Sequence, residues 1–307
     1  MAVTLVGKKI VVTGVTGQVA APVARALAKD NEVYGAARFT DAGAQAALEG
    51  AGVRCAKIDL AAGDLDSLPT DADYVLNFAV QKSNNWEADL EGNGAGTASL
   101  MEHHRQAQGF LHCSSAAVYQ PLHDPAHRFT EDDELGDNHR IWSFLKTYSI
   151  SKIVAEEFAR YGARQFGLPT TIARLNVPYG AQGGWPAMQL EMLLAGQPIP
   201  VRGGPYTWNL IHEDDILASI PRLLDVASVP ATLTNWGGEA VTMEDWCTYL
   251  GELVGVKASF VETDQTIEGT GFDTTTMESL IGPLDVSWRD GLRRMVETLH
   301  PEKLVSP

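Results

Sequence analysis

The segment Tyr148-Ser-Ile-Ser-Lys152 puts a phenol four residues ahead of an ammonium. On a helix that spacing sets both side chains on one face, about one turn apart. A phenol with a reference pKa of about 10 is a poor acid–base group at neutral pH, and a neighbouring ammonium favours its ionised form. The pair can then exchange a proton with a carbonyl or alcohol oxygen. Upstream, Phe110-Leu111-His112-Cys113-Ser114-Ser115-Ala116-Ala117-Val118-Tyr119 reads as a buried strand with two hydroxyls at its carboxyl end. Ser115 is suited to hold and polarise the same oxygen, and Ser114 is the lesser candidate. Singly these features are common, since serine pairs at strand ends usually serve turns.

A third feature raises their specificity. Val11-Val12-Thr13-Gly14-Val15-Thr16-Gly17-Gln18-Val19-Ala20 passes from a β-branched strand through a glycine turn into an alanine-rich helix ending near Lys29. Gly14 supplies the tight turn, Gly17 lets the backbone approach a pyrophosphate, and Ala20 lets the helix lie close to the strand. Pro22 falls in the first helical turn, where a missing N–H does no harm. Gly14, Thr16, Gly17, Gln18 and Val19 are therefore candidate dinucleotide-binding residues, and a bound nicotinamide gives the phenol–ammonium pair a hydride partner. A carboxylate for the adenosine ribose is expected ~20 residues beyond the turn, but Ala37 and Arg38 stand there. Arg38 can meet a 2′-phosphate through a charge-assisted, bidentate contact, so NADP is expected ahead of NAD.

The elements that must position these groups follow from the alternation of β-branched runs with helical stretches. Ile10 to Thr13, Glu32 to Ala37, Tyr74 to Ala79, Phe110 to Ser114 and Thr170 to Arg174 read as strands with helices between them. This pattern predicts an α/β fold, a Rossmann-like doubly wound parallel sheet with ligands beyond the carboxyl ends of the strands. After Tyr179 the chain turns to Gly, Pro and Trp, and a smaller C-terminal substrate-binding lobe is expected. The reading assigns 1–177 and about 206–236 to the dinucleotide-binding domain, and about 178–205 and 237–307 to the lobe. Within these, Ala187 to Ala195, Val241 to Val254 and Asp290 to Leu299 read as helices, and Ile211 to Val226 as a return to the sheet region. Gln120 to Thr147 is a long irregular connection; its histidines, His123, His127 and His139, match no metal spacing, and no metal is expected.

Composition narrows the ligands. A net charge of −16 disfavours a sequence-independent grip on nucleic acid. An anion can still be held locally by helix N-terminal amides. No apolar run is long enough for a membrane span, and Met1 to Gly14 shows no targeting pattern. Cys55, Cys113 and Cys247 are odd in number and widely spaced, as expected of buried thiols in a reducing, cytoplasmic compartment.

With these motifs together, the chain resembles the extended short-chain dehydrogenase/reductases, the group that includes sugar-nucleotide epimerases and dehydratases. The resemblance spans nearly the whole length. It extends to Asp59-Leu60, Asn77-Phe-Ala79-Val, Asn93-Gly-Ala-Gly-Thr97, Arg174 with Tyr179-Gly180, His212-Glu-Asp-Asp215 and Trp288-Arg-Asp-Gly-Leu-Arg293. It implies catalytic roles for Ser115, Tyr148 and Lys152, with Tyr148 and Lys152 also meeting the cofactor. It adds Asp59, Leu60, Ala79 and Asn93 to the cofactor-binding residues, and implies a homodimer formed through the helix after Asn93 and the helix carrying Tyr148.

Two departures bear on the substrate. Where an arginine of this group grips a substrate diphosphate, Trp208-Asn209 stand here, and an indole cannot replace a guanidinium on phosphate. Arg202 is the one nearby substitute. In Arg174-Leu-Asn-Val-Pro-Tyr179 the asparagine sits at Asn176, one place early, with Val177 at its usual site. Trp142, Phe144, Trp185 and Trp208 are placed in loops around the cleft, as pocket lining or as packing. These features tilt the expectation toward an NAD(P)-dependent ketone/aldehyde reductase or alcohol dehydrogenase acting on a small molecule. The alternative is a nucleotide-sugar epimerase or dehydratase that retains its cofactor. A cofactor-sensing protein without chemistry is a third reading, which the intact Ser/Tyr/Lys set opposes.

Overall fold

Ile10, Val11 and Val12 have no solvent exposure, yet they divide between two cores on opposite sides of one sheet: Ile10 and Val12 face one, Val11 the other. A strand buried on both faces is what a parallel sheet clothed by helices produces. The computed structural model describes residues 3–305. In chain order its elements are β1 (Lys9–Thr13), α1 (Ala20–Leu27), β2 (Glu32–Ala37), α2 (Ala42–Gly50), β3 (Arg54–Lys57), β4 (Tyr74–Asn77), α3 (Trp86–Leu90), α4 (Gly96–His103), β5 (Gly109–Ser115), α5 (Tyr148–Phe166) and β6 (Thr170–Leu175). Next come β7 (Val177–Gly180), β8 (Gly183–Gly184), α6 (Trp185–Leu194), β9 (Ile199–Val201), β10 (Thr207–His212), α7 (Glu213–Asp225), β11 (Thr232–Trp236), β12 (Ala240–Thr242), α8 (Met243–Val254), β13 (Phe260–Glu262), α9 (Thr275–Ile281) and α10 (Trp288–Leu299).

The main sheet has seven strands in the order β11-β6-β5-β4-β1-β2-β3, all parallel. Its order reverses between β1 and β4, and at such a switch point the strand ends diverge into a ligand crevice. Helices α1 and α7 cover one face, while α5 covers the other together with α4, against which it packs. Five of the seven strands coincide with the runs read from sequence; β3 and β11 were not expected. β3 is an edge strand, Arg-Cys-Ala-Lys, whose outer residues are solvated, and β11 carries Thr234 and Asn235, polar but wholly buried by hydrogen bonding.

Ala155, Ala159 and Ala163 recur every four residues on the buried face of α5. Small side chains at that spacing let the helix lie close to the sheet, which carries its first turn to the carboxyl end of β5. The second half of the chain builds a four-stranded sheet, β12-β10-β7-β8, and a two-stranded one, β13-β9. These pack with α6, α8 and α10 around Trp208, Trp246, Leu250 and Leu292. The segment 206–236 is shared: β10 pairs in the four-stranded sheet, whereas α7 and β11 join the large one.

Candidate active site

The crevice begins at Gly14, whose φ is +71°. A Cβ there would lie 2.9 Å from both Cα and N of Ala79, so only glycine lets the ends of β1 and β4 approach this closely. Thr13 Oγ1 donates to Asn77 Oδ1 at 2.7 Å and accepts from the Ala79 amide at 3.0 Å. Asn77 in turn donates to Thr97 Oγ1 and to Nδ1 of His112. The Gly17 amide closes the turn on the Gly14 carbonyl, and α1 opens without a side-chain cap. Among the described residues the amides of Gln18 and Val19 meet no acceptor, and Thr16 and Gly17 are exposed. Free amides at an exposed helix start fit an anionic phosphate bridge. A cavity lies against this turn, walled by Gln18, Val19, Pro178, Tyr179 and Glu213.

Arg38 follows β2, exposed and without an ion pair among the described residues. Asp59 follows β3, the neighbour of β2, and accepts from the amides of Ala61 and Ala62; Leu60 beside it is half-buried. The Asn93 carboxamide is committed to a brace, accepting from the Gln81 amide and donating to the carbonyls of Gln81 and Asp89. Ala79 likewise spends its amide on Thr13. Neither side chain nor amide is free at these two positions, so a part in cofactor binding would run through the backbone they shape.

Tyr148 is the first residue of α5, half-buried, with its hydroxyl donating to no protein group among the described residues. Lys152 is only 4% exposed, and its Nζ donates at 2.6 Å to the carbonyl of Cys113, two residues before Ser115 on β5. The half-buried Ser115 Oγ accepts from the Ala117 amide at 3.2 Å, which leaves its O–H able to donate elsewhere. Ser114 is instead buried and tied at 2.5 Å to Glu156 Oε1. The fold thus brings the end of β5 and the start of α5 together, with one serine turned to structure and one left available.

Sequence reasoning missed the supports behind these groups. Glu156 and Arg174, both at most 2% exposed, form a two-pronged ion pair, Nε–Oε1 at 3.0 Å and Nη2–Oε2 at 2.9 Å. Burial opposes the Arg174 charge, but the carboxylate outweighs it and holds the guanidinium above its ordinary pKa. Arg174 also donates to Tyr119 Oη, which donates to Asn235 Oδ1. Asp89, fully buried, gathers hydrogen bonds from Thr147 Oγ1, Ser83 and the Asn84 amide. Burial raises its pKa, yet those donors prevail and hold it below the usual carboxylate range. Through Thr147 it fixes the residue before Tyr148. The aromatic residues also separate: Trp208 lies within β10 and is buried, Trp185 opens α6, and Phe144 is 64% exposed and stacked on Trp142. Trp142, Trp185, Trp208 and Trp246 form a chain of edge-to-face contacts between 5.5 and 5.9 Å. Arg202 is occupied by Glu268 and the Asp264 carbonyl. Among the described residues no cluster could hold a metal ion and no helix is long and apolar enough to cross a membrane.

Burial lowers the pKa of four histidines, His212 at the start of α7 among them. His104 and His139 are pushed down to about 4, and His112, beside Lys152, falls well below its ordinary value of 6.5. The unfolded chain therefore binds more protons than the native one between pH 6.5 and about 4, so stability complete above that window is lost as pH falls through it. Thermal melting followed from pH 7.5 downward is expected to show a midpoint that declines below pH 6.5. A midpoint constant down to pH 5 would contradict the burial of these rings.

The model of the NAD dependent epimerase/dehydratase family matches residues 10–231. Among solved structures, UDP-glucuronic acid 4-epimerase from Bacillus cereus, in complex with UDP-glucuronic acid and NAD, superposes with a TM-score of 0.80 at 21% identity, covering 96% of this chain and 99% of its own. UDP-glucose 4-epimerase from Thermotoga maritima with UDP-glucose gives 0.80 at 19% identity, with the same coverages. The dTDP-glucose 4,6-dehydratase from Bacillus anthracis, in complex with NAD, gives 0.79 at 19%, covering 97% and 98%. No curated protein matches in sequence.

Proposed function

Because the chain belongs to the NAD dependent epimerase/dehydratase family, we propose that it is an NAD(P)-dependent enzyme acting at a carbinol carbon of a sugar-type substrate and restoring its cofactor within each turnover. This displaces the reductase expected from sequence: the structural relatives are nucleotide-sugar epimerases and a dehydratase. The carrying observation is Lys152, sealed from solvent and anchored to the strand of Ser115 one helical turn from Tyr148. When bound, the nicotinamide supplies the hydride acceptor and donor. Ser115 donates to the substrate oxygen, and Tyr148 takes its proton and later gives it back. Lys152 holds a positive charge one helical turn from the phenol and would hold the nicotinamide ribose.

Gly14, Thr16, Gly17, Gln18 and Val19 would hold the pyrophosphate, and Asp59 and Leu60 the adenine end. The large sheet serves the dinucleotide and the smaller lobe the substrate. Epimerisation is favoured over dehydration. Loss of water needs a further acid and base beside the reacting carbon, and the residues after Ser115 are Ala116, Ala117 and Val118, all buried and apolar. A homodimer paired through α4 and α5 suits Phe158 and Tyr161, both exposed on α5. A cytoplasmic setting suits the three free cysteines.

The experiment is direct. Protein purified without added cofactor should release a nicotinamide dinucleotide on denaturation, and turnover should leave the nicotinamide absorbance unchanged. A second reading, net reduction of a less polar carbonyl, is favoured by the buried indole of Trp208 where a diphosphate grip would stand. It requires cofactor consumption in step with product.

Arg38 after β2, exposed and unpaired among the described residues, supports NADP as the proposed cofactor, although structural relatives are in complex with NAD. Replacing the arginine with alanine removes a charge-assisted contact to a 2′-phosphate, so Arg38→Ala is expected to weaken NADPH binding at least tenfold and leave NADH within twofold. Fluorescence titration reads both; wild-type protein that binds NADH more tightly than NADPH removes the assignment.

A further inference from the structure

The phenol of Tyr148 is the inner end of a line of rings that reaches the surface. The His139 ring lies 5.5 Å from it, and that of Trp142 lies 5.2 Å from His139, centre to centre. From Trp142 the line divides: Phe144 stacks on it at 5.6 Å with the planes 17° apart, and Trp185 meets it edge-on at 5.9 Å. Exposure rises outward. Tyr148, His139, Trp142 and Trp185 are each half-buried, whereas Ile141 and Phe144, before α5, and Met188, on α6 one turn beyond Trp185, are open to solvent. This apolar shelf is accessible as it stands, and it begins at the residue assigned to the proton.

An exposed apolar patch beside a reacting group marks a surface where a ligand sheds water. Charge narrows the occupant. Between Pro178 and His212, the stretch that builds β7 to β10 and α6, the one cation is Arg202; between Ala258 and Asp273 there is none, against four carboxylates. Arg202 is spent on Glu268 Oε1 at 3.1 Å and on the Asp264 carbonyl at 2.9 Å. Trp208, 3% exposed, packs between Trp185 and Trp246. Arg140 and Lys146 flank the aromatic turn, but both stand in open water, where single charges are screened. A diphosphate would meet no desolvated cation on this side of the site, whereas an apolar group would meet rings and a thioether. We propose that the end of the substrate away from the reacting carbon is an uncharged apolar aglycone lying across Phe144, Trp142 and Trp185, in place of a nucleoside diphosphate. This rests on the catalytic reading of Tyr148 and names the class of substrate that the tyrosine serves. A second copy of the chain is the rival occupant, but seated there it would stand over the proton-transferring residue.

The test titrates the full chain by calorimetry, at about 0.15 M salt, with methyl β-glucoside, octyl β-glucoside below its micelle concentration, and UDP-glucose. Burying two methylenes is worth about tenfold. Octyl β-glucoside should therefore bind at least tenfold more tightly than methyl β-glucoside, and UDP-glucose no more tightly than methyl β-glucoside. Phe144→Ser and Met188→Ser alter exposed side chains, so both should melt within ~2 °C of the wild type. Each should weaken octyl β-glucoside binding at least threefold, and the two together at least tenfold, with methyl β-glucoside unchanged. Tighter binding of UDP-glucose than of octyl β-glucoside would overturn the proposal. So would an octyl preference that survives the double substitution, which marks detergent adsorbed elsewhere, or binding of none of the three. A mass in light scattering that halves in Phe144→Ser would assign the patch to a second copy and refute the aglycone. Release of a dinucleotide on denaturation is measured apart: octyl β-glucoside binding without a dinucleotide refutes the enzyme and leaves the shelf standing, whereas a dinucleotide with UDP-glucose preferred refutes the shelf alone.

Discussion

Tyr148→Phe is expected to lower kcat by ~10²-fold or more while cofactor binding and melting temperature stay near wild type. The separation of effects follows from the geometry. The Tyr148 hydroxyl donates to no protein group among the described residues, so its removal leaves no buried partner orphaned, and the ring keeps its contact with His139. What is lost is one oxygen and its proton at the start of α5. Lys152→Met makes an informative companion, because Nζ is tied to the Cys113 carbonyl: it should cost both kcat and cofactor affinity, since one ammonium is assigned to the phenol and to the ribose. Turnover of the substrate by Tyr148→Phe within severalfold of wild type would mean that the proton travels by another route, and the cofactor-sensing alternative would gain ground.

The parts legible in the sequence are those that local spacing fixes. A strand, a turn needing positive φ at Gly14 and a helix must follow one another for the backbone to present free amides, and that order is written in consecutive residues. The four-residue step from Tyr148 to Lys152 is equally local. Where burial depends on distant partners the sequence is mute. Glu156 sits beside Glu157 and four residues before Arg160 on α5, which reads as a solvated charged face. Only the packing of α5 across β5 and β6 buries it against Arg174. A signal did exist, since an arginine within the apolar run of a central strand must find an anion. Asn84 falls in a polar turn and Asp89 in the short helix α3 that follows it, and nothing local shows that Thr147, 58 residues on from Asp89, completes the ring of donors. The four aromatic residues that sequence leaves open between lining and packing are divided for a related reason: Trp208 belongs to a strand and its core, which only the fold shows.

The largest stability effect is expected from Arg174. Arg174→Met should destabilise the fold by about 3–5 kcal/mol, the cost of leaving a buried carboxylate with only Arg160, 3.7 Å away and partly exposed, in place of its two-pronged partner. Its reach should extend to the candidate active site, because Glu156 also holds Ser114 beside Ser115, the serine proposed to act on the substrate, and Arg174 holds Tyr119, which fastens the turn after β5 to Asn235 on β11. Activity should therefore fall along with the denaturation midpoint, unlike the pattern for Tyr148→Phe. Adding Glu156→Leu to Arg174→Met removes the orphaned charge along with its partner, and a buried pair replaced by apolar groups is often near neutral in stability. The double variant is thus expected to recover much of the midpoint in urea while activity stays reduced, since Ser114 has lost its acceptor. If Arg174→Met alone melted like the wild type, Arg160 alone would suffice to hold Glu156, and the network would not be the frame that fixes the end of β5 against α5.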